Sequence, residues 1–183
     1  MTKPAQLLVF DWETTGLNLH PDADVRKQPH AIEFGGALIS CADGSVTEEL
    51  TLLINPGIEL EPIITKITGI TDAMLRNEPL FPACVPRLSA FFGKAEAMLS
   101  HNLPFDKAIL LGELARHQVQ AFPLPRGELC SVGLYREQWG RNPKLLELYE
   151  AVMGKPLAQT HRAMDDVNAL VEIVQHEELW RLV

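Results

Sequence analysis

Two acidic residues stand two positions apart at the end of an apolar stretch near the start of the chain. Asp11 and Glu13 follow residues 7–10 (Leu-Leu-Val-Phe), a β-prone run that predicts a buried strand. Residues i and i+2 of a strand point to the same face, so both carboxylates project together while Trp12 faces the opposite side. Like charges held side by side repel each other and lose hydration, and a bound cation would relieve both costs. Two solvated acids at a strand end are the alternative, and this pair taken alone favours it.

Asp106 is a third acidic residue whose position suggests chemistry. It follows another short apolar stretch, residues 97–100, and stands near the start of a predicted helix, where aspartate is common as a cap. Its helical spacing to Ile109 and Leu110 turns it towards the core, which capping does not require. Together with the first acidic pair, this placement favours a metal ligand over a cap.

Asp165 and Asp166 are adjacent, and the helix predicted after them decides between them. Asp166 shares an apolar face with Ala169, Leu170 and Ile173, whereas Asp165 shares a polar face with Asn168, Glu172 and Gln175. Asp166 is therefore expected to point inward and Asp165 into water. An unpaired inward carboxylate is costly, so a cationic side chain or a metal is expected beside it. His161, five residues earlier, would be a surface or cap residue on its own, but beside Asp166 it becomes a candidate proton acceptor.

The elements predicted along the chain would bring these residues to one place. Strands are predicted at about residues 7–10, 31–40, 46–55, 97–100 and 129–132, and residues 18–29 form a polar loop. Helices are predicted at about 71–75, 84–92, from 106 onward, and at 132–138, 144–153 and 163–178. Strands followed by strands alternating with helices predict an α/β fold with a mixed sheet. No internal repeat or linker divides the chain, so one domain over residues 1–183 is expected.

The composition limits the classes of protein that the chain can belong to. No apolar run approaches the roughly 20 residues that cross a bilayer, which predicts no membrane segment. Cys41, Cys84 and Cys130 are scattered without metal-ligand or disulfide spacing, which favours a reducing cytoplasm. The formal net charge is −8, with 24 acidic and 16 basic residues, and this argues against broad binding to a nucleic-acid backbone.

The chemistry-bearing residues fall into three motifs that resemble those of a known family. The segments are Asp11-Trp12-Glu13-Thr14-Thr15-Gly16-Leu17, His101-Asn102 with Phe105-Asp106, and His161-x-Ala163-x-x-Asp166. In this order they resemble the motifs of the DEDDh (DnaQ-like) 3′–5′ exonucleases, and residues 68–71 resemble a further segment of that family. The resemblance implies an RNase H-like fold, with a central mixed sheet of about five strands and helices on both faces. His161 assigns the histidine subtype, because the tyrosine of the other subtype would stand where the sequence has Arg162.

The resemblance also implies roles for individual residues. Asp11, Glu13, Asp106 and Asp166 are expected to hold two divalent metal ions, Mg²⁺ or Mn²⁺, directly or through water, with Asp11 bridging them. Two such ions, about 3.5–4 Å apart, serve phosphodiester hydrolysis at both the attacking and the leaving oxygen. His161 is expected to be the general base. The residues implied to contact the terminal nucleotide are Thr14, Thr15, Gly16, Leu17, Ile70, Asn102 and Phe105, with core packing as the alternative for Leu17 and Phe105.

The expected activity is metal-dependent release of nucleoside 5′-monophosphates from the 3′ end of single-stranded nucleic acid, with DNA slightly favoured over RNA. An enzyme that holds only the last few nucleotides can carry an acidic charge, because metals, stacking and backbone N–H groups replace a basic groove. The alternatives are a catalytically weak binding module that docks on a polymerase or other partner, and an RNase H-type endonuclease. The complete set of acids and the spacing from His161 to Asp166 argue against both. The short C-terminus after the last predicted helix favours a free-standing enzyme over a polymerase subunit, and the oligomeric state cannot be inferred.

Overall fold

A mixed sheet of five strands lies at the centre of the computed structural model, which describes residues 5–17, 24–158 and 160–183. The strands are β1 (Gln6–Thr14), β2 (Ala31–Ser40), β3 (Val46–Leu53), β4 (Ala97–Ser100) and β5 (Gly127–Cys130). Their order across the sheet is β3-β2-β1-β4-β5. The pairs β1–β2 and β2–β3 are antiparallel, whereas β1–β4 and β4–β5 are parallel. The predicted α/β class with a five-stranded mixed sheet is therefore confirmed.

Seven helices in the described residues surround this sheet. They are α1 (Pro62–Thr68), α2 (Asp72–Leu75), α3 (Phe81–Phe92), α4 (Leu103–Arg116), α5 (Ser131–Trp139), α6 (Leu145–Met153) and α7 (Ala163–His176). Short 3-10 helices cover Val25–Lys27 and Leu179–Leu182. The predicted loop at residues 18–29 therefore contains one helical turn, and its residues 18–23 lie outside the described part of the chain.

Strand β1 separates two hydrophobic cores because its side chains alternate between the faces of the sheet. Leu8, Phe10 and Trp12 pack against α3 and α4 in the first core. Leu7 and Val9 pack against α6 and α7 in the second core. Helices thus cover both faces of the sheet, as the resemblance implied.

Helix α1 is an element that the sequence reading missed. It begins with Pro62 at its first position, and it ends at Gly69, whose φ of 70° lies in the left-handed region that favours glycine. Both signals were present in the sequence. The predicted cap of α2 is confirmed, since the Thr71 hydroxyl accepts a hydrogen bond from the Met74 N–H at 3.3 Å.

The cysteines and the helix lengths bear on the setting of the protein. In the described part of the chain, Cys41, Cys84 and Cys130 are all free thiols. Among the helices of those same residues, none combines the length and the apolar character that a bilayer crossing requires. The cytoplasmic setting inferred from the scattered cysteines stays a prediction.

Candidate active site

Three acidic side chains meet where α7 crosses the end of β1. Asp11 and Glu13 extend the row of β1 side chains that faces α7, and Asp166 lies in the first turn of that helix. One carboxylate oxygen from each of the three residues lies within 4.8 Å of the others. The predicted juxtaposition of these three acids is therefore present in the structure.

Asp106 reaches the same region from the first turn of α4, and its side chain is almost completely buried. Strand β4 pairs with β1 only as far as Val9, so the N–H of Trp12 lies beyond this pairing. Asp106 Oδ1 accepts a hydrogen bond from that N–H at 3.3 Å, and Oδ2 accepts one from the Ser100 hydroxyl at 2.7 Å. These contacts fix the carboxylate of Asp106 beside the acidic row of β1, although it is not one of the three acids of the compact cluster.

Burial and mutual repulsion raise the pKa values of these acids. The pKa of Asp11 lies well above its usual value, first because of burial and then because of the charges of Asp106, Glu13 and Asp166. Burial, followed by the charge of Asp166, raises the pKa of Glu13 to about 8, with Arg162 acting in the opposite direction. Burial raises the pKa of Asp106 to about 7, although its hydrogen bonds from Ser100 and Trp12 lower it in part.

The donor set suits a hard divalent cation. Mg²⁺ and Mn²⁺ prefer carboxylate oxygens. The three acids in the cluster offer oxygens that lie close enough together to contact the same ion. A cation there would stabilise the ionised forms that burial and repulsion now disfavour. The residues present therefore fit the metal that the sequence implied.

The segment before α7 places His161 at the edge of this region. His161 is exposed, and its φ of 52° puts a non-glycine residue in the left-handed region. Asp165 is exposed and accepts a hydrogen bond from the Thr160 hydroxyl, whereas Asp166 is half-buried within the acidic cluster. The prediction that Asp166 points inward and Asp165 outward is confirmed.

Glu33 is a buried acid of this region that the sequence reading missed. It lies on β2 directly opposite Glu13 and is 1% exposed. Its carboxylate accepts hydrogen bonds from Arg162 Nε at 3.0 and 3.2 Å and from the Ala163 N–H at 2.9 Å. An acidic residue inside the apolar stretch 31–40 was a signal of a buried partner, because charged groups are seldom fully buried unpaired.

The residues expected to contact the nucleotide lie in different environments. Thr14 is buried and donates its hydroxyl to the Gly16 carbonyl at 2.6 Å, Thr15 and Gly16 are half-buried, and Leu17 is 82% exposed. Asn102 is exposed at the N-terminus of α4, and Phe105 is half-buried against the first core.

The expectation for Ile70 is the one that the structure contradicts. Ile70 has no exposed surface and packs with Ile32, Leu60 and Leu75 in a third, small core. A side chain fully enclosed by apolar neighbours offers a nucleotide no surface to touch. The role of Ile70 in this structure is therefore core packing.

An open cleft of about 370 Å³ adjoins the segment that follows the β1 acids. Its lining residues come from three segments and are Thr15, Gly16, Leu17, Arg26, Lys27, Gln28, Pro29, His30, Ile58, Glu59 and Glu61. Arg116 of α4 fixes one wall, since its guanidinium donates to the carbonyls of Val25, Gln28 and Pro29 at 3.0, 2.7 and 3.1 Å. The cleft therefore has one wall held by Arg116, and its lining carries both cationic (Arg26, Lys27) and acidic (Glu59, Glu61) side chains.

Comparison with known proteins shows which protein family this chain is similar to. The family model described as Exonuclease matches residues 8–174. A putative bifunctional exonuclease/endonuclease protein of Mycobacterium tuberculosis is 33% identical over 91% of this chain, which spans 25% of that relative. The DNA polymerase III subunit epsilon of Treponema pallidum is 29% identical over 90% of this chain, which spans 72% of that relative.

A solved structure supports the fold independently. The nuclease domain of 3′hExo, described as a DEDDh family member bound to rAMP, matches with a TM-score of 0.77. The match covers 96% of this chain and 92% of that domain at 15% sequence identity. The arrangement of sheet and helices is thus that of the DEDDh exonucleases.

Proposed function

The chain belongs to the exonuclease family, and we propose that it is a 3′–5′ exonuclease that releases nucleoside 5′-monophosphates from single-stranded nucleic acid. The observation that carries this proposal is the meeting of the carboxylate oxygens of Asp11, Glu13 and Asp166 within 4.8 Å. The close approach of the three acids, and the pKa values of Asp11 and Glu13 raised by burial and repulsion, support a cation site over a set of solvated acids.

Exonucleases of this kind use divalent metal ions, and two Mg²⁺ or Mn²⁺ ions are proposed here. Asp11, Glu13 and Asp166 would hold them, together with the neighbouring Asp106. When bound, such ions activate water and offset the charge on the phosphate. The hydrogen bonds from Trp12 and Ser100 keep the Asp106 carboxylate from rotating away.

His161 is proposed as the general base. Its imidazole is exposed beside the acidic cluster, so a proton taken from the attacking water can pass on to solvent. Its position just before α7 links it by a short stretch of chain to Asp166.

The strand end is proposed to lie over the segment that follows β1. The hydrogen bond from the Thr14 hydroxyl to Gly16 shapes this segment so that Leu17 is displayed to solvent. Leu17 and Phe105 would pack on the faces of bases, a contact that tolerates any sequence. Exposed Asn102, together with Thr15 and Gly16, would contact the terminal nucleotide.

Single-stranded DNA is proposed as the slightly preferred substrate. The support is the name of the Treponema pallidum relative, a subunit of a DNA polymerase, and the same name makes a DNA polymerase the partner class to test. Discrimination between ribose and deoxyribose depends on contacts to the 2′-hydroxyl. A comparison of matched DNA and RNA strands therefore decides the substrate.

The test is a nuclease assay on matched single strands. With Mg²⁺ or Mn²⁺, a 3′-labelled oligonucleotide should release labelled nucleoside monophosphate, and a 5′-labelled one should give a ladder that shortens by single nucleotides. Chelation by EDTA should abolish both products, and a circular single strand should remain intact. Cleavage of the circle would instead indicate an endonuclease, and no release under any metal would contradict the proposal.

Two adjacent aspartates provide a matched control for the site. D166N should reduce the turnover number by at least about 100-fold, because it removes one of the clustered carboxylates. D165N changes the neighbouring exposed aspartate outside the cluster, and its amide oxygen can still accept the Thr160 hydroxyl, so this variant should stay within a few-fold of the unmodified protein. Equal losses in both variants would contradict the assignment of Asp166.

A further inference from the structure

We propose that the ion pair between buried Glu33 and partly exposed Arg162 positions His161 for its role as general base. The inference rests on the proposed exonuclease function. It gives Glu33 and Arg162 a role exerted through the segment that carries His161, so both are assigned as positioning residues. The pair joins strand β2 to the residue immediately after His161.

Glu33 anchors the entry to α7 at two successive residues, through the side chain of Arg162 and the backbone N–H of Ala163. Arg162 is the N-cap residue of α7, but its own side chain makes no capping hydrogen bond. Glu33 supplies the missing acceptor from β2, since it accepts the Ala163 N–H at 2.9 Å as well as Arg162 Nε at 3.0 Å. One carboxylate therefore satisfies a helix-terminal donor and the arginine side chain beside it.

His161 lies between this anchor and a second one. On the other side, the Thr160 hydroxyl donates to Asp165 in the first turn of the same helix. The backbone of His161 has a φ of 52°, a conformation that residues other than glycine rarely adopt. A residue in that conformation persists when its neighbours hold it, and here the neighbours on both sides are hydrogen-bonded.

The position of the pair is hard to explain by stability alone. Glu33 is 1% exposed and lies opposite Glu13, so it adds a further carboxylate to a region already crowded with acids. Buried ion pairs contribute little stability compared with apolar residues of the same size. A pair placed here is better explained by the geometry that it imposes on the segment 160–163.

The test is a double-mutant cycle between Arg162 and His161. In the otherwise unmodified protein, R162M should reduce the turnover number by about 10- to 100-fold, while the KM for a short DNA strand changes by less than about threefold. In the H161A background, the same change should cost less than about threefold, since the base that it positions is gone. Equal losses in both backgrounds, or no loss in the first, would overturn the proposal.

Two further variants keep the result interpretable. E33Q/R162M removes both charges, so it avoids leaving a buried charge unpaired if R162M alone folds poorly, and it should behave as R162M does in the cycle. R141M breaks the exposed pair between Arg141 and Glu147, which belongs to none of the elements that carry the site, and should leave turnover unchanged.

A readout without substrate separates this inference from the proposed function. The ring signals of His161, assigned by their absence in H161A, should shift or broaden in nuclear magnetic resonance spectra of R162M, and the Ala163 amide should lose protection from exchange. If the unmodified protein releases no nucleotide, the proposed function fails and these signals still judge the positioning. Unchanged His161 and Ala163 signals in R162M would overturn it.

Discussion

The acids of the site differ in how their surroundings hold them. Asp106 is fixed by two hydrogen bonds and buried, whereas Asp11, Glu13 and Asp166 face one another across a gap. Without a cation, burial raises the pKa values of Asp11, Glu13 and Asp106, and repulsion adds to this effect for Asp11 and Glu13. The fold therefore holds these carboxylates in a geometry that is unfavourable for their ionised forms alone and that a bound cation would stabilise.

Metal-free protein is expected to lose stability as the pH rises from about 5 to about 8. The pKa of Glu13 is about 8 in the folded chain against 4.5 for a free side chain, and that of Asp106 is about 7 against 3.8. Between these values the folded state holds more protons than the unfolded state, so unfolding releases protons and becomes easier as the pH rises. Thermal denaturation in EDTA across this range measures the effect.

Two comparisons isolate the carboxylates from other titrating groups. E13Q should show a shallower fall in Tm between the same pH values, because it removes one of the raised groups. Added Mg²⁺ should raise the Tm more at pH 8 than at pH 5, since the ion competes with protons for the same oxygens. A Tm that is flat from pH 5 to pH 8 in EDTA would contradict the raised pKa values.

H161A is expected to lose about 10²- to 10⁴-fold in turnover number, the usual contribution of a general base. The acidic cluster does not include His161, so Mn²⁺ affinity, measured by titration calorimetry, should change little. Full activity at neutral pH in this variant would show that another group takes the proton.

At the scale of secondary-structure elements, the sequence predicts the helices and strands whose signals lie in their own residues. The faces of α7 follow from helical periodicity, and the pairing of Asp11 with Glu13 follows from strand alternation. The apolar run that predicts the first strand ends at residue 10, with Asp11 and Glu13 placed at the carboxyl end of that strand, and in the structure β1 continues to Thr14, paired with β2 as far as Ala31. That extension depends on a neighbour distant in sequence, which periodicity cannot report.

The residues that the sequence reading placed wrongly or missed depend on tertiary contacts. Glu33 acquires its role through Arg162, 129 positions away. Ile70 is enclosed by a small core built from β2 and the segment 60–75, so its exposure could not be read from its neighbours in sequence. Local patterns found the acids of the site, whereas the contacts that hold them required the fold.

G35A is expected to disturb the site through the contact between β2 and α7. A Cβ added at Gly35 would lie 2.6 Å from the carbonyl carbon of Ala163 and 2.7 Å from the nitrogen of Met164. Both atoms are backbone, so α7 must move, and a loss of about 1–3 kcal/mol in unfolding free energy is expected from such overpacking. Turnover should fall as well, because His161 and Asp166 move with the helix. Urea denaturation and the nuclease assay measure both effects.

Gly112 provides the control for this substitution. It lies inside α4, and an added Cβ there meets nothing within 4 Å. G112A should leave turnover unchanged and stabilise the protein by about 0.5–1 kcal/mol through helix propensity. If G35A matched G112A in stability and activity, the close approach of α7 to β2 would have no functional importance.

At the scale of the whole molecule, charge sets how the substrate can be held. The net charge is −8, of which the four site acids contribute −4, so the remainder of the protein is still acidic. Such a surface is unfavourable for binding a long phosphate backbone. For single strands, each phosphate contact contributes about −0.7 to the slope of log affinity against log salt concentration.

A shallow salt dependence is therefore expected. Binding of a single-stranded oligonucleotide to D166N in the presence of Mg²⁺, followed by fluorescence anisotropy, should give a slope no steeper than about −1.5. Lengthening the strand from a few nucleotides to about twenty should change the affinity little. A slope beyond about −3 would indicate a basic groove that the charge distribution does not suggest.

The alternation of side chains along β1 makes formation of the acidic site depend on the correct register of β1 in the sheet. Along residues 7–13, the odd-numbered residues run from apolar (Leu7, Val9) to acidic (Asp11, Glu13), whereas the even-numbered ones, Leu8, Phe10 and Trp12, are all apolar. A slip of one residue against β2 would send the acids under α3 and α4 and turn Trp12 towards α7. A chain with this slipped register could not fold stably. We therefore expect misassembled chains to be degraded by proteolysis instead of persisting as folded nucleases with altered selectivity. In a preparation saturated with divalent metal, we expect the folded fraction and the active fraction to coincide.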